Sequence, residues 1–250
     1  MTFNQLGNYA KNDFTITGVS TALRTLFINN ANNTGGSEAR VYTGVGGGTA
    51  GDAYYQAAIA AGQFWTWGLD NSASDKFVVS SGAALGTNDV MEVYPAGQIN
   101  YPLQPAFMAH AVTQAAVTGD GTVYTVKFTN EIFDVGGNFD GVSTFTAPVD
   151  GKYLLGTTVA IGAGPFLVGN DEYDLYLIVD GVKYILSTCN PFNCASALTF
   201  WKASGSLLIN MSAGDTAQIA VFVSGAAKTV DIEQISVVDV CNSFFGYLVC

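Results

Sequence analysis

Leu175-Tyr-Leu-Ile-Val-Asp-Gly-Val-Lys-Tyr-Ile-Leu186 decides the fold class. Two runs rich in β-branched, aromatic and aliphatic residues flank Asp180-Gly181. That dipeptide tolerates positive φ at both central positions of a two-residue turn, so the chain doubles back on itself as a β-hairpin. Val149-Asp150-Gly151 and Ala213-Gly214-Asp215 are turns of the same character. Working outward from the hairpin, strands are expected at 106–112, 122–128, 144–146, 151–159, 173–179, 182–187, 197–203, 205–211, 216–223, 232–240 and 244–249. About ten strands joined by tight loops make a two-sheet sandwich.

Towards the N-terminus the strand signals are shorter. Alternation marks 24–29, 40–45, 64–69, 76–79 and 90–94, punctuated by Asn32-Asn-Thr-Gly-Gly36, Gly46-Gly-Gly48, Asp70-Asn-Ser-Ala-Ser74 and Ser80-Ser-Gly82. The alanine-rich run Tyr54-Tyr-Gln-Ala-Ala-Ile-Ala-Ala61 reads equally as a helical turn or a strand at that length. Pro95-Ala-Gly-Gln-Ile-Asn-Tyr-Pro-Leu-Gln-Pro105 carries three of the chain's 6 prolines and resists ladder pairing, so a boundary is expected there. The expected organisation is a β-rich module at 1–100 and a sandwich at 103–250.

Composition narrows the function classes. With 49% hydrophobic residues, only 12% charged and 29 glycines in 250 residues, the chain is an all-β candidate. Its solubility rests on Asn, Ser, Thr and Gly. A net charge of −11 without a basic patch argues against nucleic acid. No stretch reaches the ~20 apolar residues of a spanning helix, so no membrane insertion is expected. Met1-Thr-Phe-Asn-Gln-Leu-Gly-Asn8 has no basic region followed by an apolar one, so no secretory signal is expected.

Against these bounds the second half resembles the C1q/TNF-like superfamily, specifically the globular C1q-type domain. Pro105-Ala-Phe-Met-Ala-His110 is similar to that family's first strand. Asn138-Phe-Asp-Gly-Val-Ser-Thr-Phe-Thr-Ala-Pro-Val-Asp-Gly-Lys-Tyr153 is the closest match. Leu175–Tyr184, Leu207-Leu-Ile-Asn-Met-Ser-Ala-Gly-Asp-Thr216 and Asn242-Ser-Phe-Phe-Gly-Tyr-Leu-Val249 follow in order. The resemblance implies a ten-stranded jelly-roll head that associates as a trimer, binds exposed proteins or glycans and in some members holds calcium.

The first half resembles modules of bacteriophage tail fibres and other virion appendages. The stretches that carry this are Arg40-Val-Tyr-Thr-Gly-Val-Gly-Gly-Gly-Thr-Ala-Gly-Asp-Ala-Tyr54, Trp65-Thr-Trp-Gly-Leu-Asp-Asn-Ser-Ala-Ser-Asp-Lys-Phe77 and Ser81-Gly-Ala-Ala-Leu-Gly-Thr-Asn-Asp-Val90. This implies a module that attaches the chain to a virion and helps trimerise it. The protein would be made in the host cytoplasm and carried on the virion beside tail or capsid proteins, with its head contacting a host-surface glycan or protein. A capsid decoration or scaffold protein, a polysaccharide depolymerase and a cellular adhesin or lectin are the competing readings.

No catalytic constellation stands out. His110 is the sole histidine and lies inside an expected strand, and no Gly-x-Ser-x-Gly elbow or lysine-bearing phosphate loop occurs. Glu131 and Asp134, or Asp171, Glu172 and Asp174, could give a depolymerase its acid–base pair, since glycoside hydrolysis needs two carboxylates. Asp134, Asn138 and Asp140 form a second polar cluster that reads first as turn capping. Asp171, Glu172 and Asp174 read as a solvated acidic loop, or as oxygen ligands for calcium if three copies converge. No cofactor beyond that calcium is expected.

Trp65 and Trp67 point to one face of a strand, where they stack on sugars, pack on a partner or cap a small core. Tyr173, Phe192 and Trp201 are placed in or beside loops, as receptor contacts. Cys189 and Cys194 flank a loop that a disulfide could close, and Cys241 and Cys250 bracket the last strand as a second candidate pair. With no histidine nearby, neither spacing suits zinc.

Overall fold

In a computed structural model, residues 39–59, 62–162, 171–190, 200–234 and 241–250 are described, with Asn29 and Gly35. The chain divides into two compact units, Met1–Gly44 and Val45–Cys250. The strand expected at 24–29 lies outside the described residues save Asn29. The one expected at 40–45 is not formed: those residues are exposed and join no ladder. Alternation supplies a tendency, but a strand exists only when a neighbour takes up its backbone N–H and C=O groups.

Residues 53–100 form a sheet of their own. β1 (Ala53–Ala58), β2 (Phe64–Asp70), β3 (Lys76–Ser80), β4 (Asp89–Val93) and β5 (Ile99–Asn100) lie side by side in chain order, an antiparallel meander. The alanine-rich run is therefore a strand, paired with Phe64–Leu69. A single 3₁₀ turn at Asn71–Ala73 reverses the chain after β2. Asp70 caps it, accepting from the Ser72 backbone N–H at 3.0 Å. Among the described residues no helix is long and apolar enough to cross a membrane.

The rest is a two-sheet sandwich. The larger sheet holds β6 (Ala106–His110), β7 (Gln114–Thr118), β9 (Asn130–Val135), β11 (Gly151–Gly162), β14 (Phe200–Met211), β16 (Val230–Ile232) and β17 (Ser243–Leu248). β11 is its spine: β14 pairs along its full length on one edge, while β17 and β16 share the other. β17 leads on to β6 and then β9. The smaller sheet holds β8 (Val123–Thr125), β10 (Thr144–Thr146), β12 (Glu172–Val179), β13 (Val182–Cys189) and β15 (Thr216–Ser224). The all-β expectation stands.

The 175–186 stretch forms the expected hairpin. Asp180 and Gly181 have φ of 46° and 79°, and Val179 faces Val182 across the turn. Strands expected separately at 197–203 and 205–211 are one strand, β14, from Phe200. Gly205 is not a break. It sits where a Cβ would meet the Leu186 Cβ at 2.7 Å, so its missing side chain lets two strands approach.

The core lies between the sheets. Leu155, Val159 and Ile161 of one sheet meet Leu175, Leu177, Ile219 and Val221 of the other, all fully buried. At one end the family-like segment supplies an aromatic cluster. Phe107 stacks on Phe139 and Phe145 with centroids 5.2 and 4.7 Å away, and meets Phe244 edge-on at 4.8 Å. Phe145 leans on Tyr153, whose hydroxyl donates to the Val149 carbonyl at 2.9 Å. Each such pair contributes about 0.5–1.5 kcal/mol beyond its buried area.

Candidate binding surfaces

The sandwich turns one side of its larger sheet outward, and two adjacent rows of that side are uncharged and mostly apolar. The ladders place Phe133, Met108, Phe245, Gly156 and Ser206 in one cross-strand row. The adjacent row on the same face holds Val135, Ala106, Tyr247, Leu154 and Leu208. Neither row contains a charged side chain. Phe133, Tyr247 and Leu208 are 46%, 44% and 57% exposed, well above what a covered face would show. Gly156 lies beneath the Phe245 ring, which occupies the space of a Cβ and levels the face there. Lys152 and Lys202 mark its margins on β11 and β14.

His110 ends the next row, beside Asn130, Ser243, Thr158 and Ser204. It is half-buried, its Nε2 has no hydrogen-bond partner, and burial holds its pKa below the ordinary imidazole value. His110 closes β6, inside the strand expected at 106–112. The rows around it went unread. The signal was present: Phe244-Phe245 and Leu207-Leu208-Ile209 are apolar at consecutive positions, which marks a strand with apolar contacts on both faces.

The meander carries a second such face. Trp65 and Trp67 share it as the alternation predicts, 43% and 37% exposed, and Tyr55 stacks on Trp67 with centroids 6.2 Å apart. The reverse side of the same sheet is polar and covered. Thr66 donates from its hydroxyl to the Gly82 carbonyl at 2.7 Å, and the Lys76 ammonium pairs with Glu92. Tyr94 and Asn100 also donate to Glu92, at 3.1 and 3.0 Å. The hydrogen bond from Lys76 is the main reason the Glu92 carboxyl titrates below its ordinary range.

The other candidate residues are scattered. Tyr173 is in the interior of β12, not on a loop: it alternates with Leu175, Leu177 and Val179 into the core and is fully buried. Burial pushes its hydroxyl pKa far up. Trp201 is likewise a strand residue, opposite Ile161 on β14 and packed against the core. Phe192 and Cys194 lie outside the described residues.

Asp171 accepts from the Ser224 hydroxyl at 2.7 Å, Glu172 is exposed at the start of β12, and Asp174 is buried, accepting from Tyr176 at 2.7 Å. Among the described residues no three His, Cys, Asp or Glu side chains gather into a group able to hold a metal ion. Asp134 and Asp140 do cap turns. Asp134 accepts from the backbone of Asn138 and Phe139 at 3.1 and 2.9 Å, and Asp140 from Val142, Ser143 and Thr144 at 2.7–2.9 Å. Cys241 and Cys250 stand beyond opposite ends of β17, whose six residues alone span ~20 Å. A disulfide needs Cα atoms within ~7 Å, so these two do not pair within one chain.

No protein-family model matches the chain, and no curated protein matches it. Among solved structures it is similar to crystal structures of murine APRIL. One, at pH 8.0, covers 58% of this chain and 99% of its own at 12% identity and a TM-score of 0.39. Another, at pH 8.5, covers 58% and 98% at 14% identity and a TM-score of 0.36. At these TM-scores the likeness carries no reading of family or function.

Proposed function

We propose that the chain is a non-enzymatic structural and binding protein of a virion, a homotrimeric head that contacts a host-surface molecule. The observation that carries the oligomer is the uncharged outer face of the larger sheet, with Phe133, Tyr247 and Leu208 exposed on it. An acidic chain can bring copies together most readily where it presents no charge. Three heads acting together would raise avidity by ~10²–10⁴ over one weak site. The virion assignment is supported by the first-half resemblance, through Arg40–Tyr54, Trp65–Phe77 and Ser81–Val90.

Sedimentation equilibrium of the full chain at micromolar concentration is the first test, with a trimer expected. Phe245→Glu should raise the dissociation constant at least tenfold. A monomeric wild-type chain overturns the reading. The second test is retention of the labelled chain on host cells and on host-surface glycans, with monomeric Phe245→Glu retained far less. Equal retention of the two would remove avidity from the account.

A further inference from the structure

We infer that the exposed apolar face of the meander is a second self-association surface, turned to the three-fold axis and covered by the same sheets of the neighbouring copies. The inference rests on the oligomeric reading of the sandwich and assigns it a distinct joint.

The register fixes the face. Tyr55 lies opposite Trp67, Trp67 opposite Val79 and Val79 opposite Met91, while Leu69 faces Phe77 and Phe77 faces Val93, which faces Ile99. All five strands thus put apolar side chains on one side. Tyr55, Trp65, Trp67, Leu69, Phe77 and Ile99 are each at least 36% exposed. Thr66, Val78, Ser80 and Glu92 are buried on the other side. The sheet therefore covers its polar side with its own loops and leaves its apolar side open.

Area and charge select the occupant. Five strands of about five residues present a face of roughly 400 Å², the upper part of what a monomer ordinarily leaves open. Around a three-fold axis each copy hides at most that ~400 Å² here, so what any two copies share falls below the ~1,200 Å² of a stable free-standing interface. A foreign protein relying on this patch alone would be held weakly. A copy already held through the sandwich would not, because the second contact is then intramolecular.

The chain also provides the coupling. Only residues 101–105 separate β5 from β6, and they are tied to β17, the strand that carries Phe245 and Tyr247. Leu248 donates its backbone N–H to the Pro105 carbonyl at 2.9 Å, and the Gln104 side chain donates to the Leu248 carbonyl. An uncharged face is its own chemical complement, whereas a membrane surface would favour a basic rim that this sheet lacks.

The test uses the full chain. The 3 tryptophans are Trp65, Trp67 and Trp201, so in a Trp201→Phe background fluorescence reports on this face alone. In the assembled state emission should be blue-shifted and acrylamide quenching reduced several-fold, both reverting on dilution to monomer. Leu69→Glu with Phe77→Glu, in the otherwise native chain, should raise the dissociation constant at least tenfold while the circular dichroism of the monomer is unchanged. A stable trimer whose tryptophans stay as quenchable as in the monomer, or that keeps its affinity with both glutamates, overturns this inference and leaves the sandwich interface standing. A monomeric wild-type chain overturns both. Cosedimentation with phosphatidylcholine vesicles that Leu69→Glu abolishes would replace the occupant with a lipid surface and overturn it as well.

Discussion

The two sheet systems of this chain solve the same problem in opposite ways. The sandwich closes the inner sides of its two sheets on each other, so Phe107, Leu155, Leu175 and Ile219 leave water within one copy. Only part of its outer side, around Phe133, Tyr247 and Leu208, is apolar and open. The meander closes its polar side instead, sealing Thr66, Ser80 and Glu92 beneath its own loops and turning Trp65 and Trp67 out. The first arrangement draws its stability from the hydrophobic effect inside the chain. The second holds its shape through hydrogen bonds and one ion pair, and leaves its apolar area open. A sheet with one polar and one apolar side is thus not enough to say which side faces the protein's own interior.

The contrast can be broken most forcefully in the core. Phe107→Ala removes the ring shared by three aromatic contacts and should cost the sandwich about 3–5 kcal/mol, read as a shifted urea midpoint. A loss below 1 kcal/mol would mean that the cluster closes over the gap and is not the anchor described. In the meander the corresponding site is polar. Glu92→Ala leaves the Lys76 ammonium without its partner and should cost about 1–3 kcal/mol. Hydrogen exchange should quicken at residues 64–93 and stay slow at residues 151–162; uniform quickening would show that the two systems unfold as one.

Asp140→Ala ranks third. Burial works against its charge, but the backbone N–H groups of Thr144, Ser143 and Val142 outweigh that and hold its carboxyl below the usual range. Losing this cap should lower sandwich stability by ~1 kcal/mol. A thermal midpoint unchanged from wild type would argue that the turn before β10 is shaped by its glycine and its strand partner alone.

The smallest effect separates the two systems by pH. His110 has a folded pKa below its ordinary 6.5, so the unfolded chain takes up the proton first and stability falls as pH drops below about 6.5. His110→Asn should remove that slope. Glu92 has a folded pKa below its ordinary 4.5, so its contribution is present above that value and is lost as pH falls through the folded value. Acid should therefore act on the sandwich first, on the face proposed to meet other copies, and on the meander later. Simultaneous loss in both would contradict the assignment of these groups to separate sheets.

Much of the fold was legible because particular residues leave few options. Asp180-Gly181 fixes a hairpin, and the alternation around it marks the strands on either side. Other elements were not legible. β7 and β9 contain Gln114 and Glu131 among weak formers and exist only because β16 and β6 offer them edges. Gly205 looked like punctuation because sequence cannot show that Leu186 lies above it. The tryptophan face was read correctly as a face, but its alternatives stayed open. Its meaning depends on which side of the sheet the 81–88 loop covers, a long-range fact.

The connector has a mechanical consequence. Pro105 and Gln104 are hydrogen-bonded to Leu248, and β6 runs on antiparallel to β17 through Tyr247, Gly246, Phe245 and Phe244. A tug on the meander along the line of β6 loads these bonds together, in shear, because the strand must slide past β17 and β9 at once. Peeling would break them one by one at far lower force. The sandwich is held to the meander by the geometry that best resists a pull along the strand.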